Sequence, residues 1–455
     1  MNVQAKENIM AVLPVRRLLI HMSWPMMLSM LVQALYNTVD SIFVAQLNEA
    51  GFLALSLAFP VQTLMIAIQS GIGVGVNAVL SRRLGEGRRD LAEAVAAHGL
   101  VLYLLCWLLF LCFGLVGSRW FMTLYTSDPQ VITYGTQYIA IVTVFSLGCC
   151  MQFAGERVLQ ATGNPIGPML IQGVGAVVNL ILDPIFIFGL FGFPRLEVAG
   201  AAIATAAGEM VGMVIAICMV RRNRVITLRL KGFRPQREVV ADILRIGLPA
   251  VAMQTLFTIM TLGMNKILAV FTQTGVFIMG AFFKIQSFIY MPVFGLNNGL
   301  TPVVSFNYGA KSRERVDGLI RFALLIAGGV MAVGTLIFLA VPDLLLSFFD
   351  ADEAVMADGV VALRLLSLSF ITSGLSIVLG SAFQALGASA FSLALSLMRQ
   401  IIILLPLSLL FGVLWGGQAI WWSFGVSEGV CFLAALAFYR RLYHTRIVPL
   451  GQSQG

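Results

Sequence analysis

Long apolar runs separated by short polar stretches fill almost the whole chain. Twelve of them can be counted: 18–45, 54–79, 94–116, 131–154, 166–190, 199–220, 243–270, 275–303, 319–341, 355–381, 391–411 and 418–439. A bilayer core takes about 20 helical residues to cross, and backbone groups in lipid must be satisfied within the segment. The pattern therefore predicts an all-α integral membrane protein with twelve transmembrane helices. Inside the first run, Gln33, Tyr36, Asn37 and Asp40 recur at i, i+3, i+4 and i+7 and share one helical face. A carboxylate near the bilayer centre costs about 2.5–3.5 kcal/mol on insertion scales unless it faces protein or a water-filled cavity. Asp40 is thus a candidate functional residue, and Gln33, Tyr36 and Asn37 are candidates to line the space around it.

The runs repeat. Trp24-Pro25 is echoed by Leu248-Pro249, an offset of 224 residues, and at that offset Gly71 meets Gly295, Gly75 meets Gly299, Ser81 meets Ser305 and Gly85 meets Gly309. The same register carries Asp128 onto Asp352, Gln160 onto Gln384 and Gly163 onto Gly387. Two six-helix lobes of like orientation follow, related by an axis along the membrane normal, which is a transporter architecture. The polar, basic stretch 221–242 is the natural boundary, giving an N-lobe over 1–220 and a C-lobe over 243–455.

The repeat also serves as an internal control. Asp40, Tyr36 and Gln33 align with Met264, Met260 and Phe257, and the fifth-run pair Asn179 and Asp183, at i and i+4, aligns with Ile403 and Leu407. The N-lobe keeps a polar cluster where the C-lobe is apolar. Two carboxylates with an amide and nearby hydroxyls can take a proton or cage Na⁺ in oxygen ligands. Pro184, directly after Asp183, removes a helix donor and either kinks the helix or frees the Leu180 carbonyl. Glu209 in the sixth run is a further candidate for the N-lobe cavity. Glu428, Lys266, Lys284 and Arg399 are intramembrane charges of the C-lobe, and Lys284 is a candidate to line the cavity.

Composition narrows the classes. The chain is 59% hydrophobic and 11% charged, far from the roughly 25% charged of a soluble protein. Its net charge of +8 lies in loops. Arg82, Arg83, Arg88 and Arg89, the cluster Arg221–Arg237, and Lys311, Arg313 and Arg315 fall on one side, which predicts cytoplasmic termini and no nucleic-acid partner. Lys6, Arg16 and Arg17 precede the first full-length run, in place of a short cleavable signal. The six cysteines fall in apolar runs without metal spacing, and neither a nucleotide cradle nor a nucleophile–base pair is present. An enzyme is excluded on that ground, no cofactor is implied, and an ion gradient is left as the energy source.

Several of these stretches together resemble the multidrug and toxic compound extrusion (MATE) transporters. They are Gln33–Asp40 (QALYNTVD), Gly71–Gly87 (GIGVGVNAVLSRRLGEG), Gly163-Asn164-Pro165 and Asn179–Pro184 (NLILDP). Thr301–Lys311 (TPVVSFNYGAK) and Arg399–Pro406 (RQIIILLP) resemble the second repeat. The resemblance implies the MATE fold and a monomeric bacterial inner-membrane antiporter that exports organic cations in exchange for H⁺ or Na⁺. It also implies that Asp40, Asn179, Asp183 and Thr205 form the cation site, and would ligate the metal if the ion is Na⁺. The chain departs from members with acids on spans seven and ten, so coupling is expected through the N-lobe. A flippase for lipid-linked or polysaccharide precursors is the alternative, disfavoured by the few intramembrane bases. A membrane sensor is a third reading, disfavoured by the repeat and the polar cluster.

Overall fold

The computed structural model describes residues 8–228, 233–349 and 352–450. The side chains of Asn37, Asp40, Ser41, Ile42, Val44 and Ala45 lie outside that description, as do Lys6, Arg229, Lys231 and Asp350. The short α1 (Ile9–Val12) precedes α2 (Val15–Ala45), α3 (Glu49–Gly85) and α4 (Arg89–Cys112). After α4 come a π-turn, Phe113–Gly117, and α5 (Ser118–Thr123). Then follow α6 (Pro129–Val144), α7 (Leu147–Ala161), α8 (Ile166–Phe188) and α9 (Glu197–Arg221). The second set comprises α10 (Arg237–Phe271), α11 (Gly275–Gly309), α12 (Arg313–Ala340), α13 (Pro342–Ser347), α14 (Glu353–Ser367) and α15 (Phe370–Ala385). It ends with α16 (Ser389–Leu397), a π-turn at Met398–Ile402, α17 (Leu404–Trp415) and α18 (Trp422–Leu442).

Among the described residues, ten helices are long and apolar enough to cross a membrane, and twelve spans result if each of two bent pairs is one span. The pairs are α6 with α7, bent by 41°, and α14 with α15, bent by 45°. Both bends carry the same device. Ser146 Oγ donates to the Thr143 carbonyl at 2.7 Å and Ser369 Oγ to the Leu366 carbonyl at 2.6 Å, local bonds that compete with the helix ladder. Equivalent caps start the bent spans, since Asp128 accepts from Gln130 N and Asp352 from Val355 N, each at 2.8 Å. The shared Asp of the repeat is thereby explained as a helix cap. Gly163 and Gly387 follow α7 and α15 in the left-handed region, at φ +88° and +74°, where a side chain would be strained.

The chain divides into two compact units, and the division runs through two helices. Unit 1 is Leu28–Val251 with Met1–Asn8, and unit 2 is Ile9–Met27 with Ala252–Gly455. The first part of α2 therefore belongs to unit 2, while the first part of α10 belongs to unit 1. Glycines fix both attachments. In unit 1 a Cβ on Gly71 would lie 2.8 Å from the Gly247 carbonyl oxygen and 2.9 Å from Val251 N, and one on Gly75 would overlap the Ile243 carbonyl. In unit 2 a Cβ on Gly295 would lie 2.6 Å from Met27 N, and one on Gly299 would lie 2.8 Å from Ser23 Cα. These are backbone contacts that no rotamer change relieves. The start of α10 and the residue before it are also tied to unit 1: Gln236 N donates to His98 Nε2 at 2.8 Å, and Arg83 pairs with Asp242 at 2.9 Å.

One correction to the sequence alignment comes from the π-turn at Met398–Ile402, which inserts a residue. Beyond it the buried face of α17 is Leu404, Ser408 and Gly412, where α8 buries Asn179, Asp183 and Ile187. The counterparts of Asn179 and Asp183 are thus Leu404 and Ser408 instead of Ile403 and Leu407. Ser408 keeps a small polar group there, hydrogen-bonded to Ser423 at 2.6 Å.

Gly295→Ala should lower the stability of the purified protein by roughly 1–3 kcal/mol, the usual cost of overpacking. Gly329→Ala on α12, where a Cβ meets nothing within 4 Å, should leave it unchanged or slightly raised. Melting curves of the two variants in detergent check this, and equal curves would refute the glycine contact.

Candidate functional site

The site in unit 1 is built on the contact of α8 with α9. Glycines bring the two helices together: a Cβ on Gly175 would lie 3.1 Å from the Gly208 carbonyl oxygen, and one on Gly208 would lie 3.2 Å from Asn179 Cβ. At that separation the Asn179 amide reaches across, and its Nδ2 donates to Thr205 Oγ1 at 3.2 Å. Asn179 is 3% exposed and Asp183, one turn further along the same face, is 0% exposed. The Asn179 nitrogen is spent on Thr205, and its buried Oδ1 has no hydrogen-bond partner among the described residues. A buried carbonyl oxygen without a donor costs about 1–3 kcal/mol, which a cation or a protonated acid at this place would offset. The set Asn179, Asp183 and Thr205 thus gathers an amide oxygen, a carboxylate and a hydroxyl on two adjoining helices.

Asp40 and Asn37 lie in α2, helical throughout Val15–Ala45; their side chains are outside the description. On the same helix Gln33 is exposed and Tyr36 half-buried. Glu209 follows Thr205 by one turn of α9, half-buried and beside Cys149, whose thiol donates to Gln69 Oε1 at 2.9 Å. Lys284 is exposed on α11 in unit 2, as is Lys266 on α10. Arg399 and Glu428 were separate candidates in the sequence. The structure pairs them in unit 2 at 3.8 Å, at the π-turn before α17. Pro184 lies within α8, which continues to Phe188. Among the described residues no group of three or more His, Cys, Asp or Glu is placed to hold a metal ion.

Two buried charges on α7 escaped the sequence reading. Glu156 is 1% exposed and Arg157 6%. Arg157 Nη1 and Asn77 Nδ2 both donate to Gln160 Oε1, at 2.8 and 3.1 Å. The signal was present as Gln152, Glu156 and Gln160 at i, i+4 and i+8, a polar stripe in an apolar run. Both charges fall just beyond the run 131–154, so apolar length alone does not place them inside the span.

Comparison with known proteins agrees with this architecture. The chain is 23% identical over 425 residues to the multidrug export protein MepA of Staphylococcus aureus, covering 93% of each. Its fold superposes at a TM-score of 0.90 on the outward-facing conformation of a multidrug resistance MATE family transporter of the MOP superfamily, with 24% identity and 99% and 98% of the two chains covered. A MATE structure in complex with MaL6 gives a TM-score of 0.91 at 24% identity, covering 99% of this chain and 100% of that one. The fold is the MATE fold. The family model described as MatE matches twice, at residues 25–185 and 249–410, one match in each repeat. This chain, a multi-pass membrane transporter and not an enzyme, belongs to the MatE family.

Proposed function

We propose that the protein is a secondary antiporter that exports organic cations in exchange for H⁺ or Na⁺, with Asp40, Asn179, Asp183 and Thr205 as its coupling site. The observation that carries this reading is the fully buried Asp183 one turn from Asn179, whose nitrogen is held by Thr205. A carboxylate at such a depth is expensive unless a cation accompanies it. The relatives named as multidrug export proteins support the substrate class. So does the polar face read in the first apolar run, where an aromatic residue and two amides at Tyr36, Asn37 and Gln33 suit a flat organic cation.

The mechanism follows from competition for negative charge. With Asp40 and Asp183 ionised, unit 1 offers a counter-charge to an organic cation. When a proton or Na⁺ binds, that charge is neutralised, the organic cation loses its partner and leaves. Each ligand therefore weakens the other by the same factor, and rocking of the two repeats exposes the site to each side in turn. Glu209, one turn along α9 from Thr205, tunes the field at the site, and the exposed Lys284 on α11 disfavours small cations in unit 2. The basic loops and both termini face the cytoplasm of a bacterial inner membrane, with the linker 221–242 between the halves, and the protein works as a monomer.

Ethidium-loaded proteoliposomes under separately imposed pH and Na⁺ gradients test the reading. One of the two gradients should drive export in the wild type, which names the coupling ion; export under neither would refute antiport. Coupling of about 1–3 kcal/mol makes ethidium affinity change roughly 5–150-fold between saturating and absent coupling ion. In Asp183→Asn and Asp40→Asn that change should collapse towards onefold, with gradient-driven efflux abolished and the melting temperature retained. Wild-type efflux from a well-folded Asp40→Asn protein would exclude this coupling site.

A further inference from the structure

Unit 1 buries a second acid away from Asp183. Both carboxylate oxygens of Glu156 on α7 accept amide hydrogens, Oε1 from Gln152 Nε2 at 3.1 Å and Oε2 from Gln172 Nε2 at 2.9 Å. Gln172 belongs to α8, and its own Oε1 accepts from the Ser29 hydroxyl on α2. Among the described residues Glu156 makes no ion pair. The adjacent Arg157 directs its Nη1 to Gln160. The other titratable groups in its field are Tyr103 on α4 and Cys149 on α7 itself, neither of them a cation. Among the described residues, the groups bonded to it from other helices are neutral, Gln172 of α8 directly and Ser29 of α2 through Gln172. Glu156 is therefore a buried carboxylate held by two neutral amides beside the positive charge of Arg157, without a direct ion pair, and a carboxylate so removed from water is a group that can take up a proton.

The surroundings select the proton. Na⁺ requires several oxygen ligands, whereas this carboxylate is faced by two N–H donors. Position separates it from the site already described. Gln172 precedes Asp183 by eleven residues of α8, about 16 Å at 1.5 Å per residue. Ser81 of α3 donates to the Ala161 carbonyl, which sets the Glu156 end of α7 beside the end of α3 that carries Arg82 and Arg83.

We propose that Glu156 is a second proton-binding station of unit 1, and that Gln172 transmits its charge state to Ser29 on α2. With Glu156 ionised, every donor in the line points toward it, Ser29 to Gln172 and Gln172 to Glu156. One proton binding Glu156 Oε2 forms an O–H bond and turns that oxygen into a donor. Gln172 then presents its carbonyl oxygen to the new O–H and its N–H to Ser29 Oγ, which becomes the acceptor. One proton is gained, no other covalent bond changes, and the direction of both hydrogen bonds reverses. Ser29 is the second residue of α2 within unit 1, so the reversal arrives where that helix passes from one unit to the other. The role in transport rests on the antiport reading above, and the chemistry of the station does not.

The test measures proton release when ethidium is added to the full-length purified protein in weakly buffered detergent solution, followed with a pH indicator. Glu156→Gln should release about one proton fewer per ethidium bound than wild type at a pH where the station is occupied. Infrared difference spectra on acidification give a second readout, a protonated-carboxyl band missing from Glu156→Gln and displaced in Gln172→Met. Wild-type release from Glu156→Gln alongside lost release from Asp183→Asn overturns the proposal and leaves antiport standing. No release from the wild type overturns proton-coupled antiport, and the infrared band then decides Glu156 alone. If Glu156→Gln does not fold, Gln172→Met carries the test: a displaced band supports the station, and an unmoved band overturns it.

Discussion

Everything in this molecule depends on four glycines that let one helix backbone rest on another. Gly71 and Gly75 of α3 take the first part of α10 into unit 1, and Gly295 and Gly299 of α11 take the first part of α2 into unit 2. In lipid there is no hydrophobic driving force between helices, so close packing has to hold them. Small residues at the contact are the means, and the repeat preserves them at the same offset of 224 residues. The two attachments end at equivalent places, Met27 and Val251, each two residues after a proline.

On this shared scaffold the repeats carry different chemistry. The serine bends, the aspartate caps and the bond from Ser81 to Ala161 in unit 1, matched by Ser305 to Ala385 at 3.0 Å in unit 2, are common to both halves. The acids are not. Asp183 is answered by Ser408, and Asp40 by Met264, which is fully buried. Unit 2 has its own charge at another place, where Arg399 and Glu428 meet. Unit 1 holds two separate polar sets that both involve α8, the hydrogen-bonded Glu156 of α7 with Gln172, and the oxygen cluster at Asn179.

Much of the fold was legible in the sequence because apolar length and repeat offset are properties of the chain itself. All twelve predicted runs have helical counterparts, yet helices such as α3 outlast their apolar stretch at both ends, from Glu49 to Gly85. Charged side chains at a span's end face water while their backbone stays helical, so hydropathy stops early. The Asn179–Asp183 spacing also showed in the sequence, whereas their true counterparts did not. A π-turn adds one residue without leaving a gap or a breaker to reveal it. The line from Glu156 was hidden for a different reason: its partner Gln172, and Ser29 bonded in turn to Gln172, lie on two other helices, and only packing brings them together. Which helix halves belong to which unit was equally invisible, since glycines state that something approaches closely without stating what.

The exchange of half-helices between units has a bearing on how such a chain can come to exist. A single half, cut at the linker, would present Gly71 and Gly75 with nothing to close on, because the segment they receive comes after the cut. It would also begin with a segment whose seat is in the other half. Two copies of one half, each lending its opening segment to its neighbour, would satisfy both needs at once, as in a domain-swapped pair. The fused chain therefore has the connectivity of a swapped dimer written as one polypeptide. Its two halves cannot be inherited separately without each losing the first turns of its own structure.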